Sequence, residues 1–423
     1  MSFVEHEDVD DPWLLPPSGR KPEQSVCGKL PETVRVVRSN LLFIDKSALP
    51  EAMLDRLVRL AAFQNPEFYK AQAMRLPTFD KPRVISCAEE FPKFLALPRG
   101  LLDELLLLLR QHRITADLQD ERNRGNEIEA RFVGNLRDRQ PEAVSRILEH
   151  DEGILCAGTA FGKTVAAAYL IGARRTNTLV LVHRAQLLDQ WRERLAAFLD
   201  VPIDRIGQIG GGKTKRTGSI DVALIQSLYR KGETKDLVAE YGHIIVDECH
   251  HLSAFTFEQV MKQAKAKFVV GLTATPIRKD GHHPIVYMQC GPIRFNLPVR
   301  LQMESSPFEH RVKLRSTALR WTLEQPPTIQ DLYALLAVDR ERNSQILEDV
   351  KQGVANGRSP LVLSARTDHV EWLSTQLREH VDRVFVLRGG MGAKQRALGR
   401  RPRRNGVFQA GCRCHGQLCR RGL

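Results

Sequence analysis

The segment AGTAFGKT, at residues 157–164, has the residue types that bind phosphate. It follows an apolar run, GILC, and precedes a run of strong helix formers, TVAAAYLIGARR. A turn between a strand and a helix offers phosphate its backbone N–H groups and the positive end of the helix dipole. Lys163 would reach the β- and γ-phosphates, and Thr164 would hold Mg²⁺. The segment therefore predicts a nucleoside triphosphate site.

A second segment, GQIGGGKT at residues 207–214, fits the phosphate-loop pattern G-x-x-x-x-G-K-[ST] in full, whereas residues 157–164 have alanine at the first glycine position. Its context is different, because GGGKTKRTGS leads into the apolar run DVALIQSL and no helical pattern follows. We therefore expect residues 207–214 to form a mobile surface loop that does not hold a nucleotide. Its Lys213, Lys215 and Arg216 would at most contact a nucleic-acid backbone.

Two carboxylates follow another apolar run, HIIVDE. Asp247 would bind Mg²⁺ and Glu248 would activate water as a general base, so that these two residues and Lys163 form the predicted catalytic set. An acidic pair alone would be weak evidence, but together with the phosphate loop it indicates nucleotide hydrolysis. After the next apolar run, the hydroxyls of Thr273 and Thr275 could couple the carboxylates to a second domain.

Five short apolar runs after residue 136 alternate with helical patterns, which predicts an α/β fold with a parallel sheet covered on both faces. A second series predicts one helix over Asp331–Gly353, then a strand (PLVLSA), a helix (DHVEWLSTQLREH) and a strand (RVFVLRG). The predicted segments are a loose lead-in (1–40), a small α+β unit (41–115), a linker (116–130), a nucleotide-binding domain (131–300), a linker (301–325), a partial second domain (326–392) and a basic tail (393–423).

The composition, 42% hydrophobic and 27% charged residues, is typical of a soluble globular protein. The net charge of +13 is concentrated at the end of the chain, where residues 383–423 hold 11 of the 63 Lys and Arg and no acidic residue. Bulk charge therefore does not indicate nucleic-acid binding by the rest of the chain. No apolar run reaches the roughly 20 residues of a membrane span, and no signal peptide is recognised, so a cytoplasmic location is expected.

Metal sites other than that for Mg²⁺ are not predicted. The cluster of Cys412, Cys414, His415 and Cys419 lies in a segment without apolar periodicity that could fold around zinc. The histidine pairs at 250–251 and 282–283, near Cys249, are assigned no metal either. Trp191 lies at helical spacing from Leu187 and Leu188, which favours core packing.

AGTAFGKT, DECH and LTATP, in this order, resemble motifs I, II and III of superfamily 2 helicases of the DEAD/DEAH-box kind, in the branch that contains XPB and type III restriction subunits. The resemblance covers roughly residues 130–390. It implies two RecA-like P-loop domains with ATP and Mg²⁺ in the cleft between them, and a nucleic-acid partner, with DNA favoured. The unit at 41–115 is similar to the DNA-engaging domain that precedes the motor in XPB-like proteins, although a purely structural role stays open.

The resemblance also assigns roles to individual residues. Gln140 would read the adenine edge, and Arg184, Gln226 and Ser227 would contact the nucleic-acid backbone. Family members usually have glycine where Ala160 stands. The full set predicted to bind the nucleotide is Gln140, Ala157, Gly158, Thr159, Ala160, Phe161, Gly162, Lys163 and Thr164.

The pattern departs from the family after about residue 392, where motifs V and VI, with the arginine finger, are not recognised. We expect an incomplete second RecA-like domain followed by an Arg-, Gly- and Cys-rich tail without helix or strand periodicity, which a frameshift would explain. A natural basic tail that binds nucleic acid nonspecifically is the alternative. The resulting prediction is an ATP-dependent helicase or translocase with impaired hydrolysis. A noncatalytic nucleic-acid-binding remnant stays open. A restriction-type translocase subunit would need a nuclease partner or domain, and no nuclease carboxylate cluster is recognised in this sequence.

Overall fold

The computed structural model describes residues 29–230, 232–249, 254–275, 281–298, 312–317, 319, 328–381, 383–387 and 407–411. The chain divides into two compact units, residues 1–305 and 306–423, which are described separately. None of the helices in the described ranges is long and apolar enough to cross a membrane.

The first part of unit 1, called here the accessory part (residues 33–120), is a small α+β structure. Its strands and helices are β1 (Thr33–Arg38), β2 (Leu41–Asp45), α1 (Glu51–Leu60), β3 (Ala62–Gln64), α2 (Pro66–Ala73), β4 (Val84–Ser86), β5 (Glu89–Glu90), β6 (Phe94–Pro98), α3 (Leu102–Gln111) and β7 (Thr115–Asp120). Five strands form a sheet in the order β5-β6-β2-β1-β7, in which only β1 and β7 are parallel.

Two strands of the accessory sheet extend beyond the predicted α+β unit (41–115). β1 occupies residues 33–38 of the predicted lead-in, and all but the first residue of β7 (115–120) lies in the predicted linker. Neither strand shows a continuous apolar run, because polar or charged residues interrupt both. They pair along their whole length, which makes β7 an edge strand of the accessory sheet.

The accessory part and the nucleotide-binding part share one hydrophobic core, which includes Val36 and Leu97 of the former and Ile244 and Val269 of the latter. At Gly100 the two backbones approach so closely that a Cβ atom would lie 2.4 Å from the carbonyl oxygen of Tyr287. These contacts show that the accessory part packs directly on the nucleotide-binding part and is not joined to it by a free linker.

A buried arginine, Arg99, joins the two parts by hydrogen bonds. Its Nε and Nη2 atoms donate to Oε1 of Glu152 at 3.1 and 2.9 Å, and Nη1 donates to the carbonyl oxygen of Ala264 at 2.9 Å. Arg122, which follows β7, also lies 3.5 Å from Glu152 and donates to the carboxylate of Asp151. A buried carboxylate needs such partners to offset its desolvation. The predicted linker therefore supplies part of an ion-pair network under the sheet.

The nucleotide-binding part is a twisted eight-stranded sheet with helices around it. Its elements are α4 (Gln140–Leu148), β8 (Glu152–Ala157), α5 (Lys163–Arg174), β9 (Thr178–Val182), α6 (Ala185–Phe198), β10 (Ile206–Gly210), β11 (Lys213–Lys215), β12 (Ile220–Leu224), β13 (Tyr229–Arg230), β14 (Glu233–Thr234), β15 (His243–Asp247), α7 (Ala254–Met261), β16 (Phe268–Thr273), α8 (His283–Cys290) and β17 (Ile293–Leu297). The sheet order is β11-β10-β12-β9-β15-β16-β8-β17.

All pairs in this sheet are parallel except that of β10 with β11, and the five predicted apolar runs are its strands β8, β9, β12, β15 and β16. Alternate side chains face opposite layers, so that Ile244 and Val246 join the core shared with the accessory part, whereas Ile245 packs with helices α4, α5 and α6. The predicted α/β fold with a doubly covered parallel sheet is confirmed.

The prediction for GQIGGGKT is wrong in part. Residues 207–210 lie in buried strand β10, a tight turn follows, and Lys213 begins the antiparallel edge strand β11, so the segment is a β-hairpin and not a surface loop. The turn is possible because Gly210, Gly211 and Gly212 all have positive φ, at 101°, 68° and 85°. No helix follows this hairpin, as the sequence predicted when residues 207–214 were rejected as the nucleotide site.

The side chain of His243, at the start of β15, is completely buried. Its Nε2 atom is 3.0 Å from Nη1 of Arg174, which can only donate, so Nε2 accepts and Nδ1 donates to Oγ1 of Thr178 at 3.2 Å. Burial, together with the charge of Arg174, lowers the pKa of His243 well below its usual value. The network therefore holds this histidine neutral.

We predict that His243 makes stability depend on pH. The pKa of an unfolded histidine is about 6.5. The contribution of His243 to the free energy of unfolding should therefore be complete above that pH. Below it, the free energy of unfolding should decrease by up to about 1.4 kcal/mol per pH unit. Urea unfolding at about pH 5.5 and 7.5 measures the change. The variant His243→Gln should lose most of this slope, whereas exposed His380→Gln should keep it. An unchanged slope in His243→Gln would contradict the assignment.

Unit 2 contains helices α9 (Ile329–Val338), α10 (Arg340–Ala355) and α11 (Thr367–Arg378), and strands β18 (Leu361–Ser364), β19 (Val384–Leu387) and β20 (Val407–Gly411). The strands form a parallel sheet in the order β18-β20-β19. The predicted strands at 361–364 and 384–387 and the helix at 367–378 are confirmed. Two other predictions are corrected.

The single helix expected over residues 331–353 is two helices, because Asp339 has an extended ψ of 114° and its carboxylate accepts the backbone N–H of Arg342 at 2.6 Å to begin α10. The expectation of a tail without strand periodicity is wrong at residues 407–411, where β20 lies between β18 and β19. The cluster Cys412, Cys414, His415 and Cys419 and the pair at 250–251 lie outside the described residues. Within the described residues, no three or more His, Cys, Asp or Glu side chains are grouped so that they could hold a metal ion.

Candidate functional site

The two predicted chemical segments lie at the same edge of the motor sheet. Strand β8 runs into the loop at 157–164, β15 ends at Asp247, and β16 ends at Thr273. These strands are parallel and adjacent, with Asp247 opposite Leu272 and Thr273 opposite Cys156 in the register. In open parallel sheets, ligands bind beyond the carboxyl ends of the strands. The topology therefore brings the loop and both carboxylates together.

The loop backbone has the geometry of a tight turn into a helix. Gly162 caps α5 with φ of 83°, and Lys163 and Thr164 are the first residues of that helix. A Cβ at position 162 would lie 2.5 Å from Nε2 of Gln140, so any other residue there would also have to displace that side chain. The free N–H groups of the first turn therefore face the region where residues 157–164 form the loop.

Ala160 has φ of 77°, the left-handed region that disfavours a side chain. The positive φ explains why glycine is usual at this position in the family, because glycine reaches this conformation without strain. The methyl group is exposed and gains nothing from packing. The loop thus accommodates alanine at a position suited to glycine.

We predict that Ala160→Gly stabilises the protein by roughly 0.5–1 kcal/mol. Removing the Cβ relieves about 1–2 kcal/mol of left-handed strain, and the larger freedom of glycine in the unfolded chain takes back about 0.5–1 kcal/mol. Urea unfolding measures the difference. The matched variant Ala166→Gly, in the right-handed and buried interior of α5, should instead destabilise by about 1 kcal/mol or more. Equal signs for the two variants would contradict the strain argument.

Lys163 lies between the loop and the carboxylate segment. Its Nζ donates to the carbonyl oxygen of Ala157 at 2.9 Å and to that of Gly158 at 3.4 Å, and it is 3.8 Å from Oε1 of Glu248. The Lys163 and Glu248 side chains are only 9% and 18% exposed. An ammonium this close to a carboxylate in a partly closed site can bind phosphate oxygens while staying next to the group that would activate water.

The two carboxylates have different surroundings. Asp247 is buried at the end of β15, and its Oδ2 accepts a hydrogen bond of 2.8 Å from Nε1 of Trp191. Glu248 is half-buried and has φ of 49°, which turns the chain sharply after the strand. The sequence indicated Trp191 only as a core residue. The indole N–H next to an acidic strand end is a contact that only the packing of α6 over β9 reveals.

Gln140 lies beside the loop, as its motif implied. Its Nε2 donates to the carbonyl oxygen of Phe161 at 2.6 Å, and its Oε1 accepts from the backbone N–H of Arg137 at 2.8 Å. The side chain is buried, so these bonds support the loop directly. A role in adenine recognition stays a prediction.

Thr273 is buried at the end of β16, whereas Thr275 is exposed. The Thr273 hydroxyl donates to the carbonyl oxygen of Thr275 at 2.7 Å and lies 3.3 Å from its N–H, which closes a small turn after the strand. The predicted coupling role of the two hydroxyls stays a prediction.

Two buried thiols flank the site, Cys156 before the loop and Cys249 after Glu248. Burial raises the pKa of both thiols, that of Cys249 by a large margin, and the nearby Lys163 charge only partly opposes this at Cys156. They are therefore protonated at neutral pH and unsuited to nucleophilic catalysis.

The three residues predicted to contact nucleic acid lie together at the ends of β9 and β12, which are neighbours in the sheet. Arg184 is the exposed residue before α6, and Nε2 of Gln226 donates to the carbonyl oxygen of His183 at 3.2 Å. The hairpin turn adjoins them, because a Cβ at Gly210 would lie 2.3 Å from Oγ of Ser227. The GQIGGGKT segment is therefore beside this cluster and belongs to a different part of the edge than residues 157–164.

The sheet order, the loop and the paired carboxylates define a P-loop nucleoside triphosphatase domain with a RecA-like parallel sheet. Residues 134–278 match the family model described as type III restriction enzyme, res subunit. The chain is 35% identical over 164 residues to the DNA 3'-5' translocase XPB2 of Sulfurisphaera tokodaii, and 31% identical over 197 residues to the putative helicase 109L of Invertebrate iridescent virus 3. Residues 134–278 are thus similar to the superfamily 2 helicases of the XPB and type III restriction branch.

The two alignments cover 39% and 44% of this chain and 36% and 59% of those relatives. The chain thus spans about a third to three fifths of the length of these curated proteins. Among solved structures, the UvsW helicase from bacteriophage T4 superposes with a TM-score of 0.48 at 18% identity, over 62% of this chain and 99% of that one.

Proposed function

We propose that this chain is an ATP-dependent nucleic-acid helicase or translocase that acts on DNA. The observation that carries the proposal is the approach of Lys163 to Glu248, at 3.8 Å, since it unites the phosphate loop and the water-activating carboxylate at one strand edge. The similarity to a protein named a DNA 3'-5' translocase supports DNA as the partner.

In this proposal each residue of the site has one task. The loop N–H groups and Lys163 bind the phosphates, and Thr164 and Asp247 would hold Mg²⁺, which would neutralise phosphate charge. Glu248 accepts the proton of the attacking water. Gln140 supports the loop next to the base. The common edge at which β8 and β15 end supports this assignment.

The nucleic-acid contacts in this proposal lie along the neighbouring strand ends. Arg184, Gln226 and Ser227 would contact the sugar–phosphate backbone, and Lys213, Lys215 and Arg216 on the adjoining edge strand add positive charge. Backbone contacts position a strand without reading its sequence. Binding by this cluster should therefore depend on salt and hardly on base composition.

Slow hydrolysis is part of the proposal. Motifs V and VI are not recognised after about residue 392, and an arginine finger accelerates related engines by about 10³–10⁵-fold. We therefore expect detectable nucleotide binding with weak turnover. The alternative is a noncatalytic nucleic-acid-binding protein that uses the accessory part.

The test is ATP hydrolysis by the full chain with no nucleic acid, with single-stranded DNA, with double-stranded DNA and with RNA. The proposal expects turnover that DNA increases more than RNA does, and that decreases in Lys163→Ala. Turnover that is absent under all four conditions, with DNA binding retained, would favour the noncatalytic alternative.

A further inference from the structure

We propose that Trp191 is a positioning residue that orients the Asp247 carboxylate toward Mg²⁺. This inference rests on the proposed function and extends it to a residue outside the nucleotide-binding segments. The observation is the hydrogen bond of 2.8 Å from the indole Nε1 of Trp191 to Oδ2 of Asp247, between two buried side chains.

The indole is fixed in place by the packing of α6. Leu187, Leu188, Trp191 and Leu195 form the buried stripe of this helix, and Trp191 is 2% exposed. Helix α6 follows β9, which is the direct neighbour of β15 in the sheet. The ring packs in the same core cluster as Ile245 of β15, and its N–H reaches the carboxylate at the end of that strand.

The chemistry of the donor suits a metal-binding carboxylate. The indole N–H can only donate, so Trp191 neither binds a metal nor removes the proton of another group. It is also neutral, and so it fixes one oxygen of Asp247 without cancelling the negative charge that Mg²⁺ requires. Outer partners of this kind orient metal ligands, and their loss typically reduces metal affinity or activity about 10–100-fold.

Burial makes the contact selective for one rotamer. Asp247 is 7% exposed, so rotation of its carboxylate away from the indole would break a hydrogen bond in a largely water-free site. A lost bond to a charged group in such a site is costly. Trp191→Phe keeps most of the ring volume and removes only the N–H, so the carboxylate of Asp247 loses this hydrogen bond.

The experiment compares the affinity of a fluorescent ADP analogue with Mg²⁺ and with EDTA. For Trp191→Phe we expect about tenfold or more Mg²⁺ for half-maximal binding, with unchanged affinity in EDTA, where the loop and Lys163 still bind phosphate. The matched control is Trp372→Phe, an exposed tryptophan of α11, which should behave as the unaltered chain. A purely structural role would instead reduce both affinities together.

A double-mutant cycle with Asp247→Asn separates orientation from packing. If Trp191 acts through Asp247, Trp191→Phe should add no further Mg²⁺ dependence in the Asp247→Asn background. Melting temperatures check folding, and Trp191→Met replaces Trp191→Phe in both titrations if the latter does not fold. Unchanged Mg²⁺ dependence in the single variant, or full additivity in the cycle, overturns the inference while leaving the proposed function intact. Absence of Mg²⁺-dependent binding in the unaltered chain overturns both.

Discussion

Replacing Lys163 by alanine should reduce nucleotide affinity about 10–100-fold and remove ATP turnover. The ammonium donates to the loop carbonyl oxygens of Ala157 and Gly158, and phosphate oxygens would take their place as acceptors. A hydrogen bond to a charged group contributes about 1.5–3 kcal/mol, which corresponds to the stated loss in affinity. Charge that develops on the phosphates during transfer makes the loss of turnover larger still. Fluorescent nucleotide titration and a phosphate-release assay measure the two effects.

The matched control for Lys163→Ala is Lys213→Ala, in the segment that fits the phosphate-loop pattern in full. Lys213 is exposed on edge strand β11 with no helix after it, so its loss should leave nucleotide affinity within about twofold. It should weaken DNA binding modestly, and the slope of log affinity against log salt should decrease by about one, as expected for the loss of one phosphate contact. The assignment is reversed if Lys213→Ala abolishes nucleotide binding while Lys163→Ala retains it.

Glu248→Gln should reduce ATP turnover by about 10²–10⁴-fold while leaving nucleotide affinity nearly unchanged. The amide has the size of the carboxylate but cannot accept the proton of water. Because Glu248 is also 3.8 Å from Lys163, the substitution removes a negative charge beside the ammonium, and binding of phosphate should be equal or slightly tighter. Single-turnover hydrolysis and equilibrium titration of the same preparation separate the two effects.

Asp247→Asn is the comparison that assigns the roles of the two carboxylates. If Asp247 holds Mg²⁺, this variant should need more Mg²⁺ for binding, whereas Glu248→Gln should not. A Glu248→Gln protein that hydrolyses ATP at the unaltered rate would remove Glu248 from the catalytic set. If Glu248→Gln reduced nucleotide affinity as much as turnover, Glu248 would have a structural role instead.

The parallel sheet and the choice between the two glycine segments were predictable from the sequence, because both rest on local order. Buried parallel strands are continuous apolar runs, and five of them are present at β8, β9, β12, β15 and β16. A phosphate loop needs a strand before it and a helix after it. Residues 157–164 meet this condition and residues 207–214 do not.

Other features depended on residues that are distant along the chain. Strands β1 and β7 are too polar to stand out, and they became visible only as a parallel pair that joins residues 33–38 with 115–120. The break between α9 and α10 lies at Asp339, inside a run with uninterrupted helical periodicity. The positive φ of Ala160 is set by closure of the loop, which no residue type at that position announces.

The sequence by itself determined the class of chemistry, since Lys163, Thr164, Asp247 and Glu248 occur in contexts that depend only on nearby residues. The tertiary structure decided which groups support that chemistry. Trp191 reaches Asp247 because it packs in the same core as Ile245 of β15, and Arg99 reaches Glu152 because the accessory part shares the core of the sheet. Periodicity shows that a side chain is buried, but only packing between distant segments shows what its polar atom meets.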